Sequence, residues 1–90
     1  MVWDAGNRRH LIEDHPERTL TVQEIEDVLS DPAEPPVYLH HRDVWESIGM
    51  TGTGRWLIVA WKDDPDGMYP IHARPVGETG HRRWLRRWMR

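Results

Sequence analysis

The chain contains no cysteine and no phenylalanine. It also has no apolar run near the roughly 20 residues needed to span a membrane. Without cysteine there is no disulfide framework and no thiolate metal site, so a reducing cytoplasm is the expected setting. The N-terminus lacks the apolar core of a signal peptide. No internal repeat, low-complexity tract or linker interrupts the chain. Its 90 residues are too few to divide into two cores, so 1–90 is read as a single domain.

What it does have is six tryptophans. Each large aromatic can bury on the order of 150–250 Å², so a few of them supply much of a small core. That favours a folded domain despite the charge content. The net charge of −3 is unevenly distributed. In 78–90, Glu78 stands against Arg82, Arg83, Arg86, Arg87 and Arg90, a balance of +4, which leaves −7 on the rest. Such a run is either a solvated helix face or a basic edge for a nucleic-acid backbone.

Asp4 is read as the N-cap of a first helix over Ala5 to Asp14, which His15-Pro16 ends. Thr21 with Glu24 three positions on forms a capping box for a second helix. Its Val22, Ile25, Val28 and Leu29 fall on one face, and Ser30-Asp31-Pro32 closes it. Strands are then expected over Val37 to Arg42, Val44 to Met50, Arg55 to Lys62 and Met68 to Pro75, the first only weakly marked. Arg55 to Lys62 is apolar on both faces, with Trp56, Ile58 and Ala60 opposed to Leu57, Val59 and Trp61, so it belongs in the centre of a sheet. Pro70 cannot donate to a ladder and needs an edge or outward position. A last, basic helix is expected from about His81 to Met89, with Trp84, Leu85, Trp88 and Met89 as its apolar set. The expected architecture is α+β: two N-terminal helices, an antiparallel three-stranded meander and the C-terminal helix. The sheet gains a fourth strand if Met1 to Trp3 add a short one.

Imidazole and guanidinium groups recur together. On the last strand, alternation puts His72 and Arg74 on one face, their Cα atoms roughly 6.5 Å apart, with Ile71 and Ala73 on the other. Such a pair suits a phosphodiester, since Arg grips two oxygens and His exchanges a proton. The first helix offers Arg8, Arg9, His10 and His15. The two histidines are about 140° apart on a regular helix and form no chelating pair. His40 and His41, read on a strand, point to opposite faces, so no metal site is expected. Each of these residues also has a plainer structural role available: packing, capping or surface charge.

The ordered set resembles the BrnT family of small ribonuclease toxins from bacterial type II toxin–antitoxin systems. The resemblance rests on Trp3-Asp4, Asn7-Arg8-Arg9-His10-Leu11 and His15 at the front, and on Glu24 to Pro32. It continues through Gly49, Thr51 and Gly54-Arg55-Trp56-Leu57, then Ala73-Arg74-Pro75 and the basic tail. His72 stands where the family often has a small polar residue. The resemblance implies a RelE-like fold, RNA cleavage needing no metal or cofactor, and a cognate antitoxin protein as partner, with a homodimer left open. On this reading Arg74, His72, His10 and His15 are the candidate catalytic residues. Arg8, Arg9, Arg82 and Arg83 would guide the RNA backbone. The competing reading is a non-catalytic module of the same fold that binds a protein or nucleic acid.

Overall fold

A computed structural model describes residues 1–89; Arg90 of the basic tail lies outside them. The element order is α1 (Ala5–Arg8) continued by a π turn (Arg9–Glu13), a 3-10 turn (Pro16–Arg18) and α2 (Val22–Ser30). Strands β1 (Val37–Leu39), β2 (Val44–Met50), β3 (Trp56–Asp64) and β4 (Gly67–Val76) follow, then α3 (Glu78–Trp88). The four strands form one antiparallel meander, β1-β2-β3-β4, so the expected α+β architecture holds.

Local chemistry sets the first two helix starts. Asp4 accepts from the Asn7 amide while the Asn7 side chain accepts from the Asp4 amide, each at 2.9 Å. Thr21 and Glu24 make the same reciprocal pair. The first helix does not stay α to Asp14. At Asp14 the amide reaches back five residues to the Arg9 carbonyl, at 2.9 Å, and the turn widens. α3 begins at Glu78, ahead of the expected His81, where an acidic residue suits the positive end of the helix.

The fourth strand is β1 and not Met1 to Trp3. The N-terminal residues make one bond to β4, Val2 N–H to the Met68 carbonyl at 2.8 Å, while Trp3 lies against the core and donates to Glu26 at 3.0 Å. β1 is shorter than expected because residues 40–43 form a turn, with Asp43 at φ 53. His40 and His41 therefore lie on that turn and not on a strand.

β3 is central and covered on both sides, as its sequence requires. Leu57, Val59 and Trp61 pack with Leu11, Ile25, Val28 and Leu29 beneath α2. Ile58 packs with Ile48 and Trp84 of α3, and Ala60 with Leu39 and Val44. β4 is an edge strand, which accommodates Pro70. Its pairing slips there: Ala60 faces His72 but Trp61 faces Pro70, so Ile71 is an extra residue, a β-bulge. The slip corrects the simple alternation. Ile71 joins the cluster on the α3 side, Ala73 joins the cluster on the α2 side, and the two do not share a face. No helix among the described residues is long and apolar enough to cross a membrane.

Candidate functional site

Downstream of the bulge, β4 regains its alternation, and His72 and Arg74 do share a face, the one covered by α3. They line a cleft of about 260 Å³ between the sheet and that helix. From α3 come Arg83 and Arg87, one helical turn apart, and from the 40–43 turn come His41 and Arg42. Its apolar lining is Leu39, Ile58, Val76, Trp84 and Trp88. Trp84 anchors α3 there, with its ring buried and its indole N–H donating to Glu46 at 2.8 Å.

Four guanidinium groups thus line one small cleft. Among the described residues no carboxylate pairs with Arg42, Arg74, Arg83 or Arg87. Glu46 is the one acid on the cleft wall, and it accepts the Trp84 indole. Like charges gathered without counterions repel one another and attract an anion with several oxygens, the geometry guanidinium forks match.

A row of imidazoles runs from the cleft around the β4 edge. The His72 and His10 ring centres lie 6.4 Å apart, and His10 meets His15 edge to face at 5.6 Å. The 140° separation expected for a regular helix fails because the π turn widens the coil and the chain leaves it before His15. His10 also faces Asp14 at 3.7 Å, and His15 faces Glu17 at 3.2 Å.

His72 has the distinctive environment. Burial pushes its pKa below the ordinary histidine value, and Arg18, His10, Arg74 and Arg42 push it the same way. It is therefore neutral near pH 7. Arg18 Nη1 faces its Nε2 at 3.4 Å and donates to the Ala73 carbonyl at 2.9 Å. A guanidinium has no acceptor, so the nitrogen facing it is the one with the lone pair, and the Nδ1 position carries the proton.

Of the residues marked from sequence, the structure brings Arg74, His72 and Arg83 to the cleft, with His10 beside His72 and His15 behind His10. Arg8 and Arg9 line a separate, more open depression with Ala5, Ile12 and Glu13, and Arg82 is exposed on α3 without lining the cleft. Sequence reasoning missed Arg18, His41, Arg42 and Arg87 as site residues. Arg87 was accessible through its four-residue spacing from Arg83; the other three lie in turns that only the folded chain brings near. Among the described residues, no group of three or more His, Asp or Glu is placed to hold a metal ion. The chain matches no family model, no curated protein and no solved structure, so its function must be argued from this cleft.

Proposed function

We propose that this chain is an endoribonuclease of the toxin type, cleaving single-stranded RNA with its own histidines and arginines. The observation that carries the reading is a partly buried His72 in one cleft with four arginines that meet no carboxylate among the described residues. An RNA phosphodiester held by Arg74, Arg83, Arg87 and Arg42 would have its charge neutralised where it grows in the transition state. Once the Arg18 guanidinium gives up Nε2, His72 would take the proton of the adjacent 2′-hydroxyl through that nitrogen. The 2′-oxygen then bonds to phosphorus, the bond from phosphorus to the 5′-oxygen breaks, and His10 acts as the general acid that gives the leaving oxygen its proton. The products are a 2′,3′-cyclic phosphate and a 5′-hydroxyl end. Arg8, Arg9 and Arg82, outside the cleft, would contact flanking phosphates. His15, bonded to Glu17, would hold His10 through ring contact and take no direct part.

The proposal places the protein in the cytoplasm with an antitoxin protein covering the cleft. It is tested by incubating mixed RNA with the protein in chelator. Cleavage to cyclic phosphate ends by the wild type and its loss in Arg74→Ala are expected; equal background from both would overturn the reading. RNA binding without cleavage by the wild type, weakened by Arg74→Ala, would select the non-catalytic module instead.

A further inference from the structure

We propose that Arg18 is a positioning residue for His72, holding the imidazole at the β4 edge with its one lone pair on Nε2 until a substrate hydroxyl takes the place of the guanidinium there. Its catalytic consequence rests on the ribonuclease reading; the ring geometry does not.

Arg18 is held from behind. Arg55 Nη2 donates to the Arg18 carbonyl at 3.0 Å and to the Thr19 carbonyl at 2.8 Å. Arg55 is itself clamped on the buried Glu24 through Nε at 2.8 Å, and Thr53 donates to the same carboxylate at 2.7 Å. Thr19, at φ 51, ends the 3-10 turn and points the chain back toward α2. With its backbone fixed, Arg18 extends its guanidinium to the last strand. One nitrogen, Nη1, reaches both the Ala73 carbonyl and His72 Nε2. No carboxylate among the described residues pairs with it.

The groups that face His72 are His10 from the π turn, Arg18, Arg74 on the same strand and Arg42 from the 40–43 turn. Only Arg18 is within hydrogen-bonding distance. Neutral His72 and Arg18 are an acceptor and a donor. Once Nε2 has taken a proton, both groups are donors and both are positive, so the imidazolium is driven to release the proton. That is the behaviour a returning acid–base group needs.

The test reads the ring directly, by NMR of the full chain labelled with 15N-histidine. Above the ordinary histidine value, wild-type His72 should show the Nδ1–H tautomer. In Arg18→Met the Nε2–H tautomer ordinarily favoured by free histidine should dominate, and the titration midpoint should move up. Arg18→Lys, which keeps the charge and a donor, should restore part of both signatures. In RNA cleavage, Arg18→Met should lose on the order of tenfold in kcat with KM little changed. Wild-type tautomer and midpoint in Arg18→Met would overturn the role. If that variant lost its folded spectrum, Arg18→Gln, neutral and too short to reach His72, would decide by the same two signatures. A wild-type chain with the Nδ1–H ring but no RNA cleavage would sustain the positioning role and overturn only the ribonuclease reading.

Discussion

Glu24 does three tasks with one carboxylate. It completes the α2 capping box, accepts from Thr53, and forms the one Arg–carboxylate ion pair among the described residues, with Arg55. Burial raises its pKa, but the bonds from Arg55, Thr53 and Thr21 outweigh this and hold it below the ordinary glutamate value. A carboxyl with a depressed folded pKa stabilises the fold above its unfolded value, about 4.5, and that stability is lost as pH falls through the folded value. Glu24→Gln should therefore cost stability at neutral pH and flatten its acid dependence, which urea unfolding across the acid range would show. The loss should be about 2 kcal/mol, below the ~3–5 of fully buried pairs, because Arg55 is 30% exposed against 7% for Glu24. Asn7 is the other multiple partner. It is buried, shares a capping box with Asp4, and donates to the Val2 and Pro70 carbonyls at 3.0 and 3.1 Å. Asn7→Ala should lose about 2 kcal/mol in the same unfolding measurement without moving the cleft residues. Both caps were legible from sequence because they are local, three residues apart. That Asn7 also ties the front of the chain to β4 was not, since the bond spans 63 positions.

At the scale of elements, α3 depends on one small residue. A Cβ built on Gly80 would lie 2.6 Å from the Val76 Cβ, closer than packed carbons allow. Alanine gains helix propensity of up to about 1 kcal/mol over glycine, but here it would force α3 off the end of β4. Gly80→Ala should therefore destabilise the protein by about 1–3 kcal/mol and weaken RNA binding, readable in a thermal melt and a binding titration. An unchanged melting temperature would mean that the helix can shift at no cost. The limits of β2 were visible in the sequence because turn residues flank it, and β3 declared its central place by being apolar on both faces. The β1 boundary and the β4 slip were hidden. His40-His41-Arg42 fit a strand or a turn equally well until pairing is known. A bulge depends on the register of the partner strand, which no local pattern carries.

Over the whole molecule, charge is sorted by position. The front and middle of the chain carry the acids, and the cleft collects arginines from a turn, a strand and a helix. Only the helical share of this, Arg83 and Arg87, could be read from spacing; Arg42 and Arg74 join them through the fold alone. If the four cleft arginines each neutralise a phosphate, RNA affinity should fall with salt at a log–log slope of about −3, taking roughly −0.7 per contact for single strands. Arg83→Ala should make that slope shallower by about 0.7, whereas Arg8→Ala, outside the cleft, should change it less. Equal slopes for wild type and Arg83→Ala would remove Arg83 from the binding surface.

The extra residue at Ile71 works as a change of phase within a single strand. Upstream, Gly67 to Pro70 keep one beat, to which the N-terminal segment and Asn7 are attached. Downstream, His72 to Val76 keep the opposite beat, which delivers the cleft side chains. The two halves can therefore be altered separately by inheritance: substitutions in the first leave the aim of the second untouched. Removing Ile71 would be different in kind from replacing it. One lost codon would close the bulge and bring the two halves into one unbroken alternation, with Pro70 still opposite Trp61 and His72 still opposite Ala60. His72 and Arg74 would keep their outlook on the cleft, and only the Ile71 side chain would leave its cluster.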